Sequence, residues 1–299
     1  MDRKFKSGFV TIIGRPNVGK STIINRIVGE RVSIISSKPQ TTRNSIKCIY
    51  TNSDFQIVFI DTPGIHKPKS KLGEFMVNTA NDSLKGVDVV LAIIDVSTEI
   101  GTGDNYVIDL VRNVDKPKIL ILNKIDKISK SKLEHIVAEL TLHEDTFDSI
   151  IPVSALEGTN IKELVSEIVK FMPEGPRYFP SEMYTDMPEK FIVSEIIREK
   201  ILELMEEEVP HGTAVEIFSM KERDDKEIFD IEATIYCERD SHKGIIIGKN
   251  GTMLKKIGTM ARKDIEDLLH CQVNLKLWVK TKSNWRDSNN ILKTLGYHN

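Results

Sequence analysis

The segment Gly14-Arg15-Pro16-Asn17-Val18-Gly19-Lys20-Ser21 constrains this chain more than any other. It satisfies GxxxxGK[ST] and stands between an apolar run, residues 9–13, and an amphipathic stretch, residues 20–28. A glycine-rich loop between a strand and a helix surrounds a phosphate with backbone N–H groups at a positive helix terminus. Lys20 can then bridge β- and γ-phosphate oxygens, and the Ser21 hydroxyl can ligate Mg2+. The pattern continues through residue 172. Apolar runs at 55–60, 87–95, 119–122 and 150–153 read as buried strands, and 71–84, 131–142 and 160–171 read as helices. Such alternation predicts an α/β domain, a mostly parallel sheet with helices on both faces. Residues 45–50 add an antiparallel edge strand.

Three further elements fall at predicted strand ends, where ligands bind in open α/β sheets. Asp61-Thr62-Pro63-Gly64 follows residues 55–60. Asp61 can reach magnesium through water, and the Gly64 N–H can approach the γ-phosphate because no side chain intervenes. Asn123-Lys124-Ile125-Asp126 follows residues 119–122. A carboxylate at Asp126 can accept two hydrogen bonds from guanine N1–H and the 2-amino group, which adenine lacks. Ser154 and Ala155 follow residues 150–153, and a backbone N–H there can meet guanine O6. The four together predict a GTP site with Lys20, Thr42, Asp61 and Gly64 as its hydrolytic centre. Thr42 is preferred over Thr41 as the second magnesium hydroxyl, in a polar loop that can order around the γ-phosphate.

Many GTPases place Gln after DxxG to orient the attacking water. Here the position is Ile65, counted with the nucleotide-binding residues of the motif but without a polar group, and His66 beyond it is not read as a general base. Intrinsic hydrolysis should therefore be slow. Asn17 offers a side-chain carbonyl that can ligate a monovalent cation, K+, or that only shapes the loop.

Composition bounds the class. The chain has 299 residues, 40% hydrophobic and 29% charged, a prior of two domains. Three scattered cysteines exclude a disulfide framework and a four-cysteine zinc site and suit a reducing cytoplasm. No run approaches the ~18 apolar residues of a membrane span, and the basic start, residues 1–7, does not read as a signal peptide. Pro173, Pro176, Pro180 and Pro188 mark a connector. The expected domains are 1–172, a linker 173–190, and 191–299.

The last part reads helix 191–205, strand 214–220, charged turn 221–226, strand 228–237, a glycine turn, helix 251–269, strand 272–279 and helix 284–295. Residues 190–240 carry 7 basic and 15 acidic side chains, whereas 241–299 carry 11 basic and 4 acidic. The two segments either pair within one domain or leave a polyanion-binding surface. Gly248-Lys249-Asn250-Gly251 is the GxxG of a KH turn, which clamps single-stranded RNA backbone. Two strands before it and one after correspond to an α+β type II KH domain. The candidate RNA-binding residues are Lys243, Ile246, Gly248, Lys249, Asn250, Gly251, Lys255 and Lys256.

GRPNVGKS, DTPG, NKxD and SAL together resemble the translation-factor-related GTPases. In that group the Thr of PxxTR, here Thr42, ligates magnesium, and an Asn at the position of Asn17 ligates potassium. With the KH domain behind it, and with PQTTR, DTPGIHKPK, Val209-Pro210-His211 and the closing Leu277-Trp278-Val279-Lys280, the chain resembles the Era family of ribosome-assembly GTPases over nearly its whole length. The resemblance implies binding of GTP and GDP, of 16S ribosomal RNA near its 3′ end, and of the small ribosomal subunit. It also implies a cytoplasmic monomer, loosely associated with the inner membrane surface. The alternatives are an RNA-binding module whose GTP site only tunes affinity, and a membrane-associated regulatory GTPase.

Overall fold

The computed structural model describes residues 4–36, 38–141, 146–224 and 226–297. The start of the basic stretch 1–7, the end of the expected helix 131–142 and Asp225 in the charged turn lie outside the described residues. The chain divides into two compact units, Met1–Pro68 with Met76–Asp186, and Lys69–Phe75 with Met187–Asn299.

In the first unit the order is β1 (Lys6–Gly14), α1 (Lys20–Val28), β2 (Ile46–Thr51), β3 (Phe55–Asp61), α2 (Lys71–Asp82), β4 (Val89–Asp95), α3 (Thr102–Arg112), β5 (Lys118–Asn123), α4 (Lys130–Thr141), β6 (Ser149–Val153) and α5 (Ile161–Phe171). The first residues of α2 group with the second unit. The strands form one sheet in the order β2-β3-β1-β4-β5-β6. Only β2 runs antiparallel, at the edge beside β3. All seven residues of β4, VVLAIID, are buried, as expected of a β-branched strand covered on both faces. From β1 the chain first adds β3 on one side and then β4 on the other. The strand order therefore reverses at the carboxyl end of β1, where the Gly14–Ser21 loop leaves the sheet and a ligand crevice opens.

Helix α3 is absent from the sequence reading, which left 102–112 unassigned. Its first turn, TGDN, reads as loop. The helix forms because Oδ2 of Asp104 accepts the Gly101 N–H and Val107, Ile108 and Val111 face the core. The proline-rich connector is likewise structured. The side-chain oxygen of Gln56 accepts the N–H groups of Tyr178 and Phe179 at 2.8 and 3.0 Å, and its amide donates to the Phe179 carbonyl at 2.9 Å. The Ile49 N–H donates to the Tyr184 carbonyl at 2.8 Å. Residues 173–179 thus lie against the start of β1 and Gln56 of β3, and residues 184–185 pair with β2, whose exposed backbone groups would otherwise invite pairing with another chain.

The second unit has α6 (Glu189–Leu204), β7 (Thr213–Arg223), β8 (Lys226–Cys237), α7 (Asp240–Ile247), α8 (Thr252–Leu269), β9 (Gln272–Thr281) and α9 (Asn289–Thr294). β7 and β8 are antiparallel, and β8 and β9 parallel. Ile231, Ala233 and Ile235 of β8 pack against Val193, Ile197 and Ile201 of α6 and Ile257, Ala261 and Ile265 of α8. Helix α7 is a second element the sequence reading lacked. The apolar run before GxxG is helical, not extended. The expected last helix, 284–295, is a short 3-10 turn at Trp285–Asp287 followed by α9.

Candidate nucleotide site and nucleic-acid interface

The loop 14–21 crosses the carboxyl ends of β1 and β4 and is tied down from four sides. The Asn123 amide donates to the Val18 carbonyl at 2.7 Å, and the Lys124 ammonium donates to the Asn17 carbonyl at 2.8 Å while pairing with Asp95. The Arg15 guanidinium pairs with the buried carboxylate of Asp104 at 2.7 Å. The Ile65 N–H donates to the Gly14 carbonyl at 3.0 Å. Gly19 has φ 103°, and a Cβ there would lie 2.2 Å from Nδ2 of Asn123, so only glycine lets the loop close against that side chain.

Inside the loop, the Lys20 ammonium donates to the carbonyls of Gly14 and Arg15 at 3.2 and 2.9 Å. Burial pushes its pKa down to about 8, against the opposing pull of Asp61. The Ser21 hydroxyl donates to Oδ2 of Asp61 at 2.7 Å, and Thr42 Oγ1 lies 3.1 Å from Ser21 Oγ and 3.4 Å from the same carboxylate oxygen. Burial pushes the Asp61 carboxyl above the usual carboxylate range, and its Oδ1 is buried without a hydrogen-bond partner. Two hydroxyls and a carboxylate converging beside a lysine form the all-oxygen donor set a hard divalent cation takes. Thr41 points elsewhere, its hydroxyl donating to the Lys38 carbonyl at 2.6 Å.

At the other end of the cleft, Ser154 Oγ donates to Oδ1 of Asp126 at 2.6 Å and aims the carboxylate. The Ala155 N–H donates to Oδ1 of Asn123 at 3.0 Å. A base oxygen would have to share that donor or take a neighbouring amide. The cleft holds about 380 Å³ and brings together Pro16, Asn17, Gly19, Lys20, Ser21, Thr42, Gly64, Asn123, Lys124, Asp126 and Ala155.

Other residues read from the motifs lie behind it. Val18 and Thr62 are buried, and the Thr62 hydroxyl donates to the Ile12 carbonyl. The Arg15 side chain turns to Asp104. Gly14 and Pro63 contribute no wall to the cleft, and Ile125 packs at the border of the core. The Ile65 side chain corrects its assignment to the nucleotide. It lies in the core with Ile13, Val90 and Ala92, because a side chain between Gly64 and α2 is driven inward by its apolar surface. Ile34 and Ile35, which no motif marks, line the same cleft, and so does Leu156, the last residue of SAL, which is 71% exposed.

In the second unit the turn 248–251 has φ 72° at Gly248, 54° at Asn250 and 75° at Gly251. A Cβ on Gly248 would lie 2.7 Å from Cβ of Met253. Lys249 and Asn250 are exposed at the tip, as are Lys255 and Lys256 on the first turns of α8, and Lys243 is partly exposed on α7. Ile246 is a second correction. It is fully buried against the sheet, and the residue α7 turns outward is Ile245. The apolar part of the adjoining cleft, about 400 Å³, comes instead from Leu254, Leu275 and Leu277. The charge imbalance resolves in two ways. Glu232 pairs with Lys276 and Glu238 with Arg286, while Lys249, Lys255, Lys256 and Lys280 form no ion pair among the described residues.

The sequence model of the 50S ribosome-binding GTPases matches residues 9–124, and that of KH domains matches residues 208–286. The chain is 59% identical over 295 residues to GTPase Era of Alkaliphilus oremlandii, covering 98% of this chain and 99% of the relative. It is 54% identical over 294 residues to GTPase Era of Clostridioides difficile, with the same coverage. Two solved structures superpose on it with TM-scores of 0.95. One is Era in complex with MgGDPNP and nucleotides 1506–1542 of 16S ribosomal RNA, 41% identical, covering 99% of this chain and 100% of that one. The other is a variant of Aquifex aeolicus Era bound to GDP and AlF4−, 40% identical with the same coverage.

Proposed function

The chain belongs to the Era family of GTPases, and from that premise we propose that it is a slow, GTP-hydrolysing switch that binds 16S ribosomal RNA near its 3′ end during assembly of the small subunit. The observation that carries the hydrolytic half is the convergence of Ser21, Thr42 and Asp61 beside the Lys20 ammonium. Ser21 and Thr42 would hold Mg2+ directly and Asp61 through water. The ion, when bound, neutralises charge developing on the phosphate oxygens. Lys20 supplies a fixed positive charge at a buried position, where it is worth more than in bulk water. The backbone N–H groups of the loop orient the phosphates, and the Thr42 loop ties the γ end to residues 36–43. Asp126, aimed by Ser154, selects guanine.

Among the described residues no side chain near the γ end is placed to orient the attacking water: Ile65 is in the core, and the Nδ1 of His66 is held by the Gly64 carbonyl at 2.9 Å. Asn17, exposed at the mouth of the loop with φ 64°, is the group we assign to a monovalent cation. Turnover should then be faster in potassium than in sodium at equal ionic strength, with the difference lost in Asn17→Ala. Equal rates in the two salts would remove the ion and leave a partner-supplied group as the accelerator.

In the second unit the exposed turn 248–251 and Lys255 and Lys256 border an apolar cleft, the arrangement by which a KH fold clamps single-stranded RNA. Replacing both Lys249 and Asn250 with Asp should weaken an RNA of nucleotides 1506–1542 at least about tenfold, more steeply at low salt. Unchanged RNA affinity in that variant would remove the turn from the interface. The site residues, the boundary within 173–190 and a monomeric state are part of the same reading, the last checked by sedimentation. Among the described residues no helix is long and apolar enough to cross a membrane, so any attachment to the inner membrane face would be peripheral.

A further inference from the structure

The three-stranded sheet of the second unit has two faces, and the function above uses neither strand surface that points away from the helices. β9 alternates strictly. Val273 and Val279 are buried against α6 and α8, while Gln272, Lys276, Trp278 and Lys280 point outward. Lys276, Trp278 and Lys280 therefore form one row at i, i+2 and i+4 on a single face. Trp278 lies across from Thr234 of β8, which lies across from Glu216 of β7. On β7 the register shifts between Ile217 and Ser219, and the extra residue, Phe218, is 79% exposed. Such a bulge re-aims a side chain. Here it places Phe218 on the outer face, two strands or about 10 Å from the tryptophan row. Trp278 is 44% exposed, and among the described residues neither ring stacks on another aromatic residue. Tyr236 lies on the same face beside Lys280, two residues along β8 from Thr234, its hydroxyl donating to Glu216 at 2.8 Å and its ring 4.8 Å from the Lys282 ammonium.

Two large aromatic side chains exposed on one sheet face have no folding rationale, since burial rather than exposure stabilises them. The charges identify the occupant. Two acids of this face are paired with cations, Asp230 with Arg223 and Glu232 with Lys276, while Glu216 keeps its charge and accepts the Tyr236 hydroxyl at the β7 edge. Lys280 forms no ion pair among the described residues, and Lys282 flanks it on the same side. Exposed π faces beside uncompensated ammonium groups fit a strand that offers both bases and phosphates. We propose that the outer face of the β7-β8-β9 sheet is a second RNA surface, on which unpaired bases stack on Trp278 and Phe218 while Lys280 and Lys282 contact the backbone. This inference rests on the RNA-binding reading of the unit and adds a surface separate from the turn 248–251.

The chain supplies its own probe. Its two tryptophans are Trp278 and Trp285. Trp285 is fully buried with its indole N–H donated to the Gly212 carbonyl at 2.9 Å, so it reports only the fold. The full-length protein is titrated with oligoadenylate of about twelve nucleotides while indole emission is followed, in wild type and in the variant with Lys249→Asp and Asn250→Asp. The expected result is quenching in both, at higher concentration in the variant. With the RNA of nucleotides 1506–1542, Trp278→Ala and Lys280→Glu should each weaken binding about 5- to 20-fold, and Trp278→Phe should stay within about twofold of wild type. Lys280→Glu lies outside all core packing and guards against a folding defect in Trp278→Ala. Quenching lost in the turn variant, or wild-type affinity in both Trp278→Ala and Lys280→Glu, overturns the second surface while leaving the turn in place. Wild-type protein that binds neither RNA removes the RNA reading altogether.

Discussion

Asp126 concentrates guanine recognition in one side chain, and Ser154 fixes its direction. Two charge-assisted hydrogen bonds to the base are worth on the order of 2–5 kcal/mol. Asp126→Asn should therefore lose GTP affinity and gain xanthosine triphosphate, whose 2-oxo group accepts from an amide. A titration showing unchanged GTP binding in that variant would contradict the assignment. The residue scale is also where sequence spacing and three-dimensional direction part. Thr42 could be preferred to Thr41 from its place in the loop, and the two hydroxyls do point to different partners. Ile246 could not be separated from Ile245, because the run Ile245-Ile246-Ile247 has no internal period. Only the helix it forms decides which isoleucine faces the core. Ile65 was misplaced for the same reason: adjacency to a motif says nothing about where a side chain points.

At the scale of elements, the long apolar strands and amphipathic helices were legible because they bury whole faces with clear periods. α3 and α7 were not. Each is short, begins among polar or glycine residues, and is held by a few specific bonds such as Asp104 to Gly101. The connector was legible as proline-rich but not as docked, since its anchor is one residue of another strand. Gln56 satisfies Tyr178 and Phe179 with both ends of its amide. Gln56→Leu should leave those backbone groups unsatisfied at a cost of roughly 1–3 kcal/mol. Limited proteolysis should then cut within 177–183 faster than in wild type; equal rates would show that the β2 pairing alone holds the segment.

The second unit's sheet gives a pH prediction. The Arg223 guanidinium, with Asn274, holds the Asp230 carboxyl well below the usual carboxylate range. A folded-state pKa below the unfolded value means the unfolded chain binds more protons in acid. The stabilisation is thus fully present above the unfolded value of about 4 and is lost as pH falls from there through the lower folded value. The urea midpoint of Asp230→Asn should lie below that of wild type at pH 7, and the gap should narrow steadily as pH falls below about 4. A gap that persists in acid would assign the effect to packing.

For the whole molecule, two cores in one chain gain a purpose only if the nucleotide in one alters what the other binds. The first unit presents a cleft lined in part by Ser36, Gln40, Thr41 and Thr42 of one loop, and the second presents a basic turn beside an apolar cleft. If GTP and GDP bias that loop differently, RNA affinity must depend on the nucleotide, and RNA must shift nucleotide affinity by the same factor. The measurement that tests this most directly is the affinity of the full-length protein for an RNA of nucleotides 1506–1542, taken once with a non-hydrolysable GTP analogue bound and once with GDP. A difference of about fivefold or more between the two states is the predicted result. Identical affinities in both states would contradict the switch and leave a GTPase and an RNA-binding unit joined without coupling.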